Sequence, residues 1–318
     1  MSNEDNKKDK PKIVVILGPT ASGKTSLGVR LAYDFGGEII SADSRQVYKG
    51  MDIGTGKDLP DYNYQGKKIP YHLLDVASPR TNFSVARYQR MAKKVISDVI
   101  KRGKLPIIVG GSGLYLQAVI DNYKLSDYKS DKKYRTHLEK LGAEKIYLRI
   151  KELNLEFAKR ITLSDQSNAR RLSRYLELIE KGRDLIMKKD EPIADFLILG
   201  KKITDEKMKI NIKKRLEQRL DEQGMIEEVR GLKDSGLSYK RLISFGLEYK
   251  YIAYYLQGKI DEEKLRTDLV TAIYRFAKKQ KTWFKRWEKQ GQKIDWIDNY
   301  QAAAIIVKKF LKERKKTK

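Results

Sequence analysis

Ile13-Val14-Val15-Ile16-Leu17-Gly18-Pro19-Thr20-Ala21-Ser22-Gly23-Lys24-Thr25 is the stretch on which the fold turns. Five apolar, mostly β-branched residues in a row read as a strand buried on both faces, the habit of a parallel sheet. The eight that follow fit G-x-x-x-x-G-K-[ST], and SLGVRLAYDF after them sets Leu27, Leu31 and Phe35 at helical spacing. Strand, glycine turn and helix in that order make a phosphate-binding loop. Gly18, Pro19, Thr20, Ala21, Ser22, Gly23, Lys24 and Thr25 form the cradle. Backbone N–H groups curl around phosphate oxygens, the helix N-terminus adds positive potential, Lys24 reaches the terminal phosphate, and the Thr25 hydroxyl is placed to hold Mg2+. The motif specifies a diphosphate group and leaves the rest of the ligand open.

Outward from the loop, GEIISADS (37–44) reads as a second strand, IPYHLLDV (69–76) as a third, and LPIIVGG (105–111) as a buried strand running into glycines. Ser84 to Arg102 reads as an amphipathic helix with Val85, Tyr88, Met91 and Val95 on one face, ended by Gly103. This alternation implies the α/β class: a P-loop NTPase-like parallel sheet core flanked by helices. After residue 121 the texture turns polar and helical. ADFLILG (194–200) reads as a strand returning to the sheet, and basic helices with aromatics follow from Asp205. The expected organisation is a first part of the core over 1–120, a helical insertion domain over 121–193, and a core completion with a basic tail over 194–318.

Composition closes off other classes. The chain has 318 residues, no Cys and two His, His72 and His137, which excludes a disulfide scaffold, a thiolate zinc site and a thiol nucleophile. No apolar run reaches the roughly 18 residues of a membrane span. The amino-terminal MSNEDNKKDKPK has no hydrophobic segment, so no membrane association and a cytoplasmic location are expected. Lys and Arg number 68 against 42 Asp and Glu, a net charge of +26, and the carboxyl-terminal tail accounts for only part of it. A body this basic attracts polyanions, nucleic acid above all.

Hydrolytic phosphate-loop proteins end an apolar strand in a metal-binding Asp with a second acid poised for water. Here the corresponding strand ends in glycines, and Asp75 of HLLD has no acid after it. Asp43 lies just past a strand, at the carboxyl edge where α/β ligands bind. It reads either as a general base or Mg2+ holder, or as a turn cap. Ser112, after Gly110-Gly111, reads as a substrate donor or a plain turn residue. Arg170 and Arg174 share a helical face suited to RNA phosphates or to solvent. Tyr274 to Lys289 interleaves seven basic residues with aromatics, a texture that suits RNA; its tryptophans read rather as core.

GPTASGKT, SADSRQVYKGMDIGTGK (41–57), HLLDVASP (72–79), VGGSGLY (109–115), NARRLSRYLE (168–177), GMIEEV (224–229) and AKKQKTWF (277–284) together closely resemble the tRNA dimethylallyltransferase family, bacterial type, in the family's order. The resemblance implies Mg2+-dependent transfer of a dimethylallyl group from dimethylallyl diphosphate to N6 of adenine 37, beside the tRNA anticodon, releasing diphosphate. It implies Asp43 as the base, Lys24 on the leaving group, and Ser112 where the family commonly has Thr. It assigns Asp43, Ser44, Arg45, Gln46, Ser112, Arg135, Arg170, Arg171, Arg174, Lys278, Lys279 and Gln280 to tRNA, and Arg215 and Arg219 to the donor diphosphate. A monomer is expected. The sequence departs from the family's pattern at Phe245–Tyr249 and at Tyr274-Arg275. Competing readings are an isopentenyltransferase for free AMP, ADP or ATP, a small-molecule P-loop kinase, and a non-catalytic RNA-binding protein.

Overall fold

Eight strands form among the residues that the computed structural model describes, which are 10–125, 131–183, 185 and 188–313. They are β1 (Lys12–Leu17), β2 (Gly37–Ser41), β3 (Asn63–Tyr64), β4 (Lys67–Lys68), β5 (Tyr71–His72), β6 (Leu105–Gly110), β7 (Asp195–Lys201) and β8 (Asp295–Ile297). Six make one sheet in the order β5-β2-β6-β1-β7-β8, every neighbouring pair parallel. β3 and β4 form a separate antiparallel ribbon.

The central strand β1 shows why its residues form this sheet. Ile13, Val15 and Leu17 fall on one face and pack with Tyr88, Ala92 and Ile96 of the helix Val85–Lys101 and with the long helix Glu262–Lys289. Val14 and Ile16 fall on the other, against the helices Lys24–Asp34 and Tyr300–Lys312. All five are fully buried, each contributing about 1.5–3 kcal/mol by leaving water. Because the strands are parallel, their carboxyl ends share one edge. Leu17 lies opposite Gly110, and Ser41 opposite Val109, so the loops after β1, β2 and β6 converge.

The structure corrects three sequence expectations. The third strand is confined to Tyr71–His72, because Leu73 and Asp75 take left-handed φ values of 64° and 56° that no pleat accommodates. β8, which the sequence did not disclose, adds an edge strand of three residues. In the helix Val85–Lys101 the fully buried stripe is Tyr88, Ala92, Ile96 and Val99; Val85, Met91 and Val95 border it, half-buried.

The chain divides into two compact units, residues 1–122 with 191–318, and residues 123–190. Their boundaries fall at 122 and 191, against the 121–193 insertion read from sequence. The second unit holds the helices Lys132–Leu141, Ala143–Leu153, Leu155–Ala158, Leu163–Gln166 and Ala169–Glu180 around a core of Leu138, Ile146, Ile150, Ala158, Ile161, Leu172 and Leu176. Residues 1–9 and 314–318 of the lysine-rich tails lie outside the described residues. Among the described residues no helix is long and apolar enough to cross a membrane.

Candidate active site

At the end of β1 the chain turns through Ala21 (φ 62°) and Gly23 (φ 79°) into the helix that starts at Lys24. Within the turn the Ser22 N–H donates to the Pro19 carbonyl at 3.3 Å. The N–H groups of Ala21, Gly23, Lys24 and Thr25 have no acceptor among the described residues. The buried Ser22 Oγ also lacks a partner. Four unmet donors at a helix N-terminus form a concavity that favours an anion. The turn is braced from outside. The Thr20 N–H donates to Gln280 Oε1 at 2.8 Å, Gln280 Nε2 donates to the Gly111 carbonyl at 3.0 Å, and Asn211 Nδ2 donates to the Ala21 carbonyl at 3.0 Å. Half-buried Lys24 donates to the Pro19 carbonyl at 3.4 Å. Burial lowers its pKa to about 8; Asp43 and Asp58 oppose the shift and Arg215 adds to it. The lysine is therefore a cation short of solvation, which an incoming anion relieves.

Asp43 and Ser112 meet at the same edge through a backbone contact. A Cβ on Gly110 would lie 2.2 Å from the Ala42 carbonyl oxygen, so only glycine lets the chain after β6 press against the chain after β2. The Ser112 N–H then donates to the Ala42 carbonyl at 3.2 Å, and Ser112 Oγ accepts from the Ser44 N–H at 2.9 Å. Asp43 Oδ1 accepts from the Arg45 N–H at 2.9 Å. Its Oδ2 has no partner among the described residues. Thr25, half-buried in the first helical turn, presents a hydroxyl without a hydrogen bond among the described residues.

Several expected recognition residues turn inward instead. Arg45 Nη2 pairs with Glu248 Oε2 at 2.5 Å and donates to the Gly54 carbonyl at 3.3 Å, with its guanidinium over the Tyr249 ring. Gln46 accepts from the Ser41 hydroxyl at 3.0 Å and donates to the Gly56 carbonyl at 2.9 Å. These two fasten the loop after β2, while Ser44 stands exposed. Gln280 is buried, and both ends of its amide are spent on the two glycine turns. Lys278 and Lys279 beside it are exposed. Arg215 and Arg219 lie on the helix Asp205–Asp221 and pair with Asp58. Asp75, the alternative metal carboxylate, pairs with the buried Lys57. Trp287 is buried, and Trp283 packs on Gly113 and donates to Gln117 at 3.0 Å.

In the helical unit, Arg135 and Arg174 both bond the fully buried Glu177, and Arg171 pairs with Asp165. Arg170 and Arg174 lie one turn apart on the helix Ala169–Glu180, Arg170 exposed and Arg174 half-buried and paired with Glu177.

Glu228 was missed altogether. Its Oε2 accepts from the N–H groups of Asp52 and Ile53, each at 2.7 Å. Its Oε1 accepts from the Gly54 N–H at 3.1 Å and the Tyr249 hydroxyl at 2.7 Å. The signal available was the GMIEEV stretch, whose second glutamate it is. Glu248 was visible only as a departure within Phe245–Tyr249, and it proves to be the counter-ion of Arg45.

A parallel six-stranded sheet that brings a glycine turn, a carboxylate and a hydroxyl to one edge defines a P-loop-like core. Residues 46–287 match the family profile IPPT, IPP transferase. The tRNA dimethylallyltransferase 1 of Syntrophus aciditrophicus is 43% identical over 295 residues, spanning 91% of this chain and 95% of the relative. The crystal structure of the full-length tRNA isopentenylpyrophosphate transferase of Bacillus halodurans is 32% identical at a TM-score of 0.67, covering 95% of this chain and 96% of that one. A eukaryotic dimethylallyltransferase shares the fold at a TM-score of 0.78 and 24% identity, covering 96% and 80%. The chain belongs to the IPP transferase family and is an enzyme that transfers a prenyl group.

Proposed function

We propose that this chain transfers the dimethylallyl group of dimethylallyl diphosphate to N6 of adenine 37 in the tRNA anticodon loop, releasing diphosphate. The observation that carries the reading is the meeting, at one sheet edge, of unmet backbone donors, a desolvated Lys24 and the half-engaged carboxylate of Asp43. The N6 amine attacks the allylic carbon. A C–N bond forms as the C–O bond breaks, and the electron pair leaves with the diphosphate. Lys24 and the loop N–H groups neutralise the departing charge, a stabilisation realised most strongly as the bond breaks. The N6 proton passes to Asp43, whose Oδ1 is fixed by the Arg45 N–H and whose Oδ2 is free to accept it. Ser112, its oxygen held by the Ser44 N–H, orients the base.

Mg2+ suits the oxygen donors present. Among the described residues no group of three or more acidic or His side chains could cage a metal. Mg2+ ordinarily takes one or two protein oxygens and fills its shell from substrate phosphates and water. Thr25 would hold it, and it would add charge neutralisation at the leaving diphosphate.

An RNA acceptor is supported by the net charge of +26, by exposed Arg170, Lys278 and Lys279, and by relatives named for tRNA. Such an acceptor places the enzyme in the cytoplasm. The residues invoked come from one chain, which suits a monomer. The test is incubation with labelled dimethylallyl diphosphate and either unmodified tRNA or AMP. Label on tRNA alone is expected. Label on AMP alone would assign the chain to the free-nucleotide reaction instead, and phosphate release from ATP with a small acceptor would make it a kinase.

A further inference from the structure

Two arginines beside the phosphate loop are already occupied, by a carboxylate of the chain itself. Arg215 and Arg219 stand one turn apart on the helix Asp205–Asp221. Asp58 Oδ2 accepts from Arg215 Nη2 at 2.7 Å, and Asp58 Oδ1 accepts from Arg219 Nη2 at 3.0 Å. The same arginines line a small cavity with Thr20, Ala21 and Glu248, and both Arg215 and Asp58 lie within electrostatic reach of Lys24. A carboxylate thus sits on the donors that would receive an anion arriving at the loop.

The local backbone is built around this contact. Asp58 has a φ of 44°, a left-handed value that Asp and Asn tolerate better than other side chains. Two residues earlier Gly56 also turns left-handed; a Cβ there would fall 2.4 Å from Arg219 Nη2 and 3.0 Å from Arg215 Nη2, so glycine lets the chain close over the guanidinium groups. Upstream the loop is fastened by Glu228, by Gln46 and by Lys57. At Asp58 the backbone carbonyl accepts from the Asp61 N–H at 2.9 Å, while the side chain turns to the arginines. The side chain is about one-third exposed, and its hydrogen-bond partners are the two arginines.

Charge explains why this matters. Lys24, Arg45, Arg215 and Arg219 face Asp43, Asp58, Asp61 and Glu248, four cations against four carboxylates. A diphosphate entering here meets little net attraction unless one carboxylate withdraws. Asp43 is held by the Arg45 N–H, and Asp61 is exposed, its pKa raised by partial desolvation and by Asp58, and bonds neither arginine. Asp58 is the carboxylate that sits on both arginines, and its one-third exposure gives it solvent to withdraw into.

We propose that Asp58 is a displaceable internal anion: it holds Arg215 and Arg219 while the donor is absent, yields both to the donor's diphosphate, and so sets donor affinity and screens out weaker anions. A monophosphate competes poorly with a carboxylate that bridges two arginines; a diphosphate engages the loop and the arginines together. The inference rests on the reading that the loop takes an allylic diphosphate.

The experiment is calorimetric titration of the full chain with inorganic diphosphate and Mg2+, in the wild type, Asp58→Asn and Asp58→Gly. Both substitutions suit a φ of 44° and remove the charge, and a melting curve reports that each is folded. Diphosphate is expected to bind roughly tenfold tighter in both variants, with a matching fall in the KM for dimethylallyl diphosphate. Weaker or unchanged binding in a folded variant overturns the displacement, since a residue that only orients the arginines would be missed by the ligand. Diphosphate that binds none of the three proteins overturns the reading of the loop itself, and the displacement with it.

Discussion

Two short runs of backbone N–H groups in the first unit pose the same physical demand and meet it differently. In the loop after β2, the N–H groups of Asp52, Ile53 and Gly54 converge on the carboxylate of Glu228. In the loop after β1, those of Ala21, Gly23, Lys24 and Thr25 have no acceptor among the described residues. Concave backbone donors call for an anion in either place. The first loop receives it from its own chain and becomes scaffold. The second sets its donors beside a lysine whose charge burial opposes, and in the proposed reaction its anion comes from solution. Demand left unmet by the fold, rather than glycine content, separates a site from a turn.

Removing the internal anion breaks the comparison most severely. A Glu228→Gln amide accepts at only one end and turns its NH2 toward two of the four donors. Each buried donor left unmet costs about 1–3 kcal/mol, so stability in a denaturant melt falls by about 3 kcal/mol. An unchanged melt would show that this carboxylate does not hold the loop. The second loop is probed more gently by pH. Diphosphate binding favours protonated Lys24, so affinity is level below the free-enzyme pKa of about 8 and declines as pH rises through it, approaching about tenfold per unit. Calorimetry from pH 6.5 to 9.5, a range of roughly one and a half units either side of that pKa, measures it. The Lys24→Arg protein, whose charge does not titrate there, supplies the baseline for the ligand's own ionisation. Parallel profiles for the two proteins would return Lys24 to ordinary lysine behaviour.

The contrast also explains what could be read from sequence. The phosphate loop and β1 were legible because the information is local: an apolar run, a spaced glycine–lysine pattern and a helix in succession. The same holds for β2, β6 and β7. IPYHLLDV misled because its run is mostly apolar, while the left-handed turns at Leu73 and Asp75 leave no mark that single-residue preferences detect. β8 is too short to show a period. The scaffold ties were hidden because their partners lie far apart in sequence: Glu228 meets Asp52 across 176 positions, and Arg45 meets Glu248 across 203. Arg45, Gln46 and Gln280 were read by motif as tRNA residues, and the bonds each makes within the protein were not visible there. Asp43 and Ser112 were located correctly at the edge because parallel strands of one sheet must end together, yet the contact that joins them depends on Gly110 fitting under Ala42.

In the proposed reaction Asp43, held beside the unfilled donors after β1, takes the proton that allyl transfer releases. Single-turnover transfer from dimethylallyl diphosphate to tRNA by the Asp43→Asn protein tests it most directly. A rate lower by about a hundredfold or more is predicted, with diphosphate affinity not weakened, because the amide keeps the shape and loses the base. A rate equal to the wild type would contradict it.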